Sequence, residues 1–424
     1  MDVHIIRRGI RFIRRRGIEG IFEKLHLKKQ KKQVIRPYRF LLEEEEIPFQ
    51  EKVYEKKKDH RIKLLNWIIP DMGEGGGGHM NIFRFISLLE NRGFHSRLYL
   101  FQSSFYFDNT MVRNYLRNKF PLLDSKVEAF WDTRYADFAH ATIATSWETA
   151  YYVRRFQNTI SKFYFVQDYE PYFYPLGSQY QLAANTYSFG LRGIAAGSWI
   201  KKMLENKHGM FCESVGFSYD KDVYVARKRK KGKKRVFFYA RPTTPRRCFE
   251  IGFLALYLLT RRMPQVEVIF AGWDLSGIEI PFCYRDLKIT DVGRLAKAFS
   301  SSDLCMALSD TNLSLLPLEI MGAGSVVVSS SGDNTSWLLN KENSILVEHD
   351  PVDIADKMEY YLTHERELCR IRENGMKFAR QTSWEEEAKK MGRIFLEGIQ
   401  EDRERIDHRR KKKDGGFEQK TEQN

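Results

Sequence analysis

The chain has 424 residues and a 42% hydrophobic content, enough for two or three domains with real cores. Its five cysteines, Cys212, Cys248, Cys283, Cys305 and Cys369, are odd in number and without CxxC spacing, which argues against a disulfide framework and a zinc site and for a reducing compartment. The net charge of +15 gathers in two short segments, eleven Lys and Arg against three acids in 1–33 and eight more in 226–235; a nucleic-acid binder would spread its charge over a folded face.

Residues 1–29 set Ile6, Ile10, Ile13, Ile21 and Leu25 at near-helical spacing among arginines. This predicts a basic amphipathic helix, suited either to an anionic membrane surface or to packing against the protein. No apolar run approaches the roughly 18 residues of a membrane span, and no long apolar core follows the basic start as in a secretory signal. The expected location is the cytoplasm, with peripheral attachment to the inner face of the plasma membrane if the helix meets lipid.

A globular region begins near residue 60. Strands are expected at 63–69, 95–101, 142–145, 161–167, 193–196 and 211–215, with helices between them, as at 79–91 and 198–206. Segment 216–234 breaks this rhythm and reads as a basic linker. Strands then return at 236–240, 266–271, 285–289, 304–308, 326–329 and 344–347, alternating with helices at 245–262, 292–299 and 315–321. Helices at 354–362, 366–379 and 385–399 follow, and 401–424 reads as a disordered polar tail. The fold class is α/β, with two Rossmann-like parallel-sheet domains facing across a cleft. The expected boundaries are a basic extension at 1–60, an acceptor domain at 61–216, the linker at 217–234, a donor domain at 235–400 and the tail at 401–424.

Loops at the carboxyl ends of strands are where ligands bind in such sheets. Asp71-Met-Gly-Glu-Gly-Gly-Gly-Gly-His79 is one. Its glycines, Gly76 and Gly77 among them, let backbone N–H groups approach a ligand, yet it lacks the Gly-Lys-Ser/Thr of a P-loop. Phe165-Val-Gln-Asp168-Tyr-Glu170-Pro-Tyr-Phe-Tyr-Pro combines aromatic faces for sugar stacking with two acids. Asp168 and Glu170 are candidate bases for an acceptor hydroxyl; His79 and His140 are alternatives, each more often structural. Arg241 ends a strand, where its fork suits a diphosphate, and Arg246 and Arg247 assist it or face solvent. Trp273 lines a base pocket or is buried. Asp310 to Ser329 runs from a polar loop through a short helix carrying Glu319 into an apolar strand. Free N–H groups at a helix start attract phosphate, and Glu319 can accept from ribose hydroxyls. Asp220-Lys-Asp222 lies in the linker and reads as coincidence rather than a metal site.

With these residues in place, the chain resembles the retaining glycosyltransferases of the GT-B fold, family 4, over about 62–400. Their signature is Glu, seven residues, Glu. The second acid matches Glu319; the first falls at Thr311, with Asp310 one residue out of register. The aromatic segment around Asp168, Tyr-Ala-Arg241-Pro and Pro-Leu-Glu319 are together similar to the WsaF-type rhamnosyltransferases of bacterial surface-polysaccharide assembly. The resemblance implies a donor of the dTDP-L-rhamnose kind, with growing chains carried on a polyprenyl lipid. It also implies Arg241 on the diphosphate, Ser314 and Leu315 lending backbone N–H groups, and Glu319 on the ribose. The partners expected are a nucleotide sugar and a saccharide or lipid-linked glycan acceptor; no nucleic acid, cofactor or metal is expected. The missing acid at Thr311 keeps a second reading open, a membrane-associated sugar-binding scaffold without catalysis.

Overall fold

The structure is a computed structural model and describes residues 33–43, 45–72, 77–228 and 232–421, with side chains through 412. The basic helix expected over 1–29, Gly76 and the middle of the basic run at 229–231 lie outside the described residues. Residues 33–46 form a unit of their own, with a 3-10 turn over Arg36–Leu41.

From residue 47 the chain builds two parallel sheets. The first collects β1 (Lys63–Ile69), β2 (Phe94–Leu100), β3 (Glu128–Phe130), β4 (Ala139–Ala144), β5 (Thr159–Val166), β6 (Arg192–Ala196) and β7 (Cys212–Val215), in the order β3-β2-β1-β4-β5-β6-β7. The second collects β8 (Arg235–Tyr239), β9 (Glu267–Ala271), β10 (Tyr284–Asp286), β11 (Leu304–Met306), β12 (Val326–Ser330) and β13 (Ile345–Val347), in the order β10-β9-β8-β11-β12-β13. The strand order reverses between β1 and β4 and between β8 and β11. Those reversals open a crevice at the carboxyl edge of each sheet. Register follows: Lys63 to Ile69 face Phe94 to Leu100, and Arg235 to Tyr239 face Glu267 to Ala271.

The strands are apolar on both faces because helices cover both. Every residue of β4 and β12 is buried. The helices are α1 (Glu51–Lys57), α2 (Gly77–Glu90), α3 (Asn109–Lys119), α4 (Trp147–Arg155), α5 (Ser178–Asn185) and α6 (Ser198–His208) on the first sheet. On the second half lie α7 (Phe249–Arg262), α8 (Val292–Ser301), α9 (Leu316–Gly322), α10 (Asp333–Ser336), α11 (Pro351–Thr363) and α12 (Glu365–Gln381), followed by α13 (Trp384–Thr421). Their starts are written in the sequence. Ser146 caps α4 by accepting from the Thr149 N–H, and Thr149 reaches back to the Ser146 N–H. Asp108, Asp291 and Asp350 cap α3, α8 and α11 in the same way.

The C-terminal segment departs from the expectation of a disordered tail. It is the continuation of α13, which leaves the second half and returns over the first sheet. Phe395 stands edge-on to Phe163 at 4.9 Å and to Trp67 at 5.9 Å. Beyond it the helix is polar yet engaged. Asp402 accepts from Ser161 Oγ at 2.6 Å and from the Arg192 guanidinium at 2.8 and 3.0 Å. Asp407 accepts from the Tyr54 hydroxyl at 2.8 Å, and Arg410 pairs with Glu55. A charged stretch has the same composition whether it floats in water or pairs with a charged sheet edge, so the sequence did not separate the two.

Burial disfavours the charged form of Asp402, but Arg192 and Ser161 outweigh it and hold the carboxyl below its usual range. A depressed acid stabilises the fold above its unfolded pKa and loses that contribution as pH falls through the folded one. Asp402→Ala is expected to lower unfolding free energy by about 2 kcal/mol, read from the denaturant midpoint at neutral pH, with the difference from the wild-type shrinking in acid.

Candidate functional site

The loops of the two carboxyl edges meet at Asp168. This residue follows β5, and its carboxylate is buried against the loop that follows β11. Asp168 Oδ1 accepts from the Tyr169 N–H at 2.9 Å and the Asn312 N–H at 3.0 Å. Oδ2 accepts from the Thr311 hydroxyl at 2.8 Å, with Arg246 Nε at 3.8 Å. Burial pushes the Asp168 carboxyl above its usual range; Arg247, the Asn312 N–H, the Thr311 hydroxyl and Arg246 pull it back. Burial likewise lowers both guanidinium groups, and Asp168 opposes that effect.

Asn312 completes the junction. Its amide donates to the carbonyls of Gln167 at 3.0 Å and Ala196 at 2.8 Å. Gln167 in turn donates to the Gly78 carbonyl and accepts from Asn81, both at 3.0 Å. Thus the start of α2, the end of β5 and the loop after β11 form one hydrogen-bonded chain. Gly197, at φ 94°, belongs to the same junction: a Cβ there would lie 2.8 Å from the Trp337 ring. Only glycine combines that backbone with that approach.

Around this junction the structure places the expected residues as follows. Arg241 stands just past the end of β8, partly buried, with no ion pair to any described residue. Arg246 lies flat over Phe173 at 4.0 Å. Trp273 follows β9 and packs partly buried against the core of the second half. Gly77 opens α2 with open space where a side chain would be. Ser314 is exposed and accepts from the Leu316 N–H at 3.3 Å, while the Leu315 carbonyl accepts from the Glu319 N–H at 3.1 Å.

Glu319 sits in α9 and hydrogen-bonds the Tyr224 hydroxyl. Burial pushes its carboxyl up to about 7, while Tyr224 and then Arg84 hold it down and Asp220 adds to the rise. Asp220 faces Arg84 at 3.9 Å, and Arg84 also covers the Trp384 ring at 5.1 Å.

Glu170 takes a different place. Its oxygens accept from the Trp147 N–H at 2.8 Å and the Tyr164 hydroxyl at 2.7 Å, all inside the first half. Burial, then the neighbouring Glu148, raises its carboxyl to about 8. This geometry suits a group that pins the aromatic loop to β5 and α4. His140 is also interior: it accepts from the Leu64 N–H at 2.9 Å and meets the Lys57 carbonyl at 3.0 Å. His79 is mostly buried, with Nε2 unpartnered among the described residues.

Three contributors escaped the sequence reading: Asn312, Arg84 and Tyr224. Asn312 acts through carbonyls more than a hundred positions away. Arg247, expected to assist Arg241 or face solvent, donates to Ser309 Oγ at 2.6 Å and to the Asn312 carbonyl at 3.2 Å. Arg84 faces outward from a helix whose apolar face alone carried a pattern. Tyr224 lies in the supposed linker, which in fact packs: Phe217, Tyr219 and Tyr224 are buried, and a Cβ on Gly322 would lie 2.2 Å from the Tyr219 ring. Aromatics punctuating a polar segment were the available signal.

Asp168→Ala strips Thr311, Asn312 and two arginines of their shared acceptor. Removing one member of a buried ionic cluster costs about 3–5 kcal/mol, and a loss of that order is expected in chemical denaturation. Asp168→Asn, which keeps one acceptor oxygen, is expected to lose less.

Residues 234–359 match the model of the WsaF C-terminal domain. The O-antigen biosynthesis protein RfbC of Myxococcus xanthus is 29% identical over 351 residues, which are 79% of this chain and 27% of that protein. The chain therefore spans a minor part of the length of the curated relative it matches. Among solved structures, sucrose-phosphate synthase from Thermosynechococcus elongatus superposes with a TM-score of 0.62 at 13% identity, over 79% of this chain and 98% of that one. HepE of Anabaena, solved with UDP and glucose, gives 0.61 at 12% identity, over 79% and 100%. At such identities these likenesses establish the fold alone. The chain has the GT-B fold, and its residues 234–359 are similar to the WsaF C-terminal domain.

Proposed function

We propose that the chain is a glycosyltransferase of bacterial surface-polysaccharide assembly, moving a sugar from a nucleotide-sugar donor to a hydroxyl of a saccharide acceptor. The observation that carries this reading is an arginine, Arg241, without an ion pair among the described residues, at the strand-order reversal of the second sheet, beside a loop bonded to a buried acid of the first. The likeness to RfbC and the nucleotide and sugar bound by HepE support it. The resemblance of the aromatic segment and of Pro-Leu-Glu319 to the WsaF type favours dTDP-L-rhamnose as donor. The same resemblance favours a lipid-linked glycan acceptor, which would bring the enzyme to the inner face of the plasma membrane. Among the described residues no helix is long and apolar enough to cross a membrane.

In this scheme the donor diphosphate lies on Arg241, with the backbone N–H groups of Ser314 and Leu315 and Gly77 at the start of α2 around it. Trp273 borders the base, and Glu319 accepts from the ribose hydroxyls. The exposed rings of Tyr172 and Phe173 offer the acceptor sugar a stacking face. As the bond from the sugar carbon to the diphosphate oxygen breaks, charge grows on the leaving group. Arg241 is positioned to take it up without reorganisation. The acceptor oxygen bonds to the sugar carbon, and its proton passes to Asp168, whose Oδ2 holds one hydrogen bond in the resting arrangement. Glu170 keeps the loop in place, and Arg246 holds Phe173 and Asp168 together across the cleft.

The reading is tested by thermal stabilisation with dTDP, UDP and GDP, followed by nucleotide release from their sugars with an acceptor glycan. Stabilisation by dTDP and turnover of dTDP-rhamnose are expected; binding without turnover of any nucleotide sugar would point to the scaffold instead. Arg241→Ala is expected to lower kcat about 10²–10³-fold, with unfolding unchanged. A normal kcat would remove Arg241 from the mechanism.

Glu319 adds a pH dependence. Its carboxylate accepts from ribose hydroxyls more strongly than the neutral acid does, so donor affinity should rise as pH climbs through about 7. Tyr224→Phe removes a bond that favours the ionised form, leaving Arg84 as the neighbouring cation and Asp220 as the opposing acid. The midpoint of the nucleotide-affinity profile, measured by calorimetry, is expected to move to higher pH, with wild-type affinity recovered in mild alkali.

A further inference from the structure

Away from the residues used so far, the second half brings three different donor side chains to one point. Cys248 opens α7, Asp310 lies in the loop after β11, and His349 follows β13. The thiol sulfur, a carboxylate oxygen and a ring nitrogen all lie within 4.8 Å of one another, the single group of this kind among the described residues. His349 Nε2 is 2.5 Å from Asp310 Oδ1. The Cys248 thiol donates to the Arg246 carbonyl at 3.8 Å, with the Asp310 carboxylate as its acidic neighbour. Cys248 is buried, whereas Asp310 and His349 are exposed, so the cluster has an apolar floor and a mouth open to solvent.

The main chain holds two of these donors in place. The Asp310 N–H donates to the Arg246 carbonyl at 2.9 Å, and the Cys248 N–H donates to the Pro245 carbonyl at 3.0 Å. Cys248 adopts φ 50°, in the left-handed region, which a side-chain-bearing residue enters at a cost of order 1 kcal/mol. A surface Asp–His pair needs no buried thiol within 4.8 Å of both its members. A metal ion accounts for all three. The donor set of one sulfur, one nitrogen and one oxygen suits zinc. Calcium and magnesium prefer all-oxygen shells. Three protein ligands leave the fourth tetrahedral position at the mouth.

We infer that Cys248, Asp310 and His349 form a three-ligand site for a zinc-type divalent cation, with a fourth position open to water or an exogenous ligand. On binding, the thiol proton leaves to solvent, the sulfur–metal bond forms, and the ring nitrogen and carboxylate turn from each other to the ion. The site would staple the loop at 309–314 to the start of α7 and to the segment after β13. It uses none of the side chains assigned to glycosyl transfer and stands whether or not that reading holds. Scanning for neighbouring cysteines could not find it, because its ligands lie at 248, 310 and 349.

The test is titration of the chelator-treated full-length protein with Co²⁺, then Zn²⁺. One equivalent of Co²⁺ should produce a near-ultraviolet thiolate-to-cobalt charge-transfer band and the intense visible bands of tetrahedral cobalt, and Zn²⁺ should bleach both. Cys248→Ser should lose the near-ultraviolet band. His349→Gln, at an exposed position that leaves the core intact, should weaken Co²⁺ affinity by about tenfold or more and abolish the rise in thermal midpoint that Zn²⁺ gives the wild-type. No band at one equivalent overturns the inference. So does a band that survives Cys248→Ser, which would assign it to Cys283 or Cys369. If Cys248→Ser fails to fold, unchanged Co²⁺ affinity in His349→Gln overturns it equally.

Discussion

A buried carboxylate stands at the centre of the contact between the two halves. Asp168 belongs to the first sheet, yet most of its compensation comes from the second: a hydroxyl, a backbone N–H and two guanidinium groups. A charge taken out of water needs such partners, since an uncompensated one costs several kcal/mol. The loop after β11 turns two of its donors, the Thr311 hydroxyl and the Asn312 N–H, on Asp168. The loop after β5 has the converse need for donors. A site assembled from two halves depends on both being docked, and docking is also what closes a cleft against water.

The same contact bears on the signature position at Thr311. Where related chains carry a glutamate, this one carries a hydroxyl that donates to an acid from the opposite half. A second carboxylate there would face Asp168 at hydrogen-bond distance, and like charges so close cannot both ionise without a large cost. Threonine at 311 and aspartate at 168 are a compatible pair. The departure from the pattern has a local electrostatic reason, whatever its effect on sugar recognition.

Much of the architecture was legible because its causes are local. Val326 to Ser329 read as a buried strand from its apolar run, and 161–167 as another from its cluster of aromatics. Arg241 and Glu319 could be placed because each follows a strand or opens a helix at a fixed offset. What could not be read depends on distance along the chain. Asp168 and Thr311 are 143 residues apart, and nothing in either neighbourhood specifies the other. Glu170 illustrates a second limit. An acid among aromatics looks the same whether the aromatics line a cleft or form a core, and only its bonds to Trp147 and Tyr164 decide between them.

The return of α13 carries a consequence for how the molecule comes to be made. Phe395 fills a site on the first sheet against Trp67 and Phe163. A ribosome synthesising the chain releases β1 to β7 long before residue 395 is available. Throughout that interval the first sheet presents an aromatic face with nothing to cover it, at the stage when exposed apolar surface invites aggregation. The half made first is thus the half completed last. Its maturation waits on the final helix, so folding is coupled across nearly the full length of the chain rather than proceeding domain by domain.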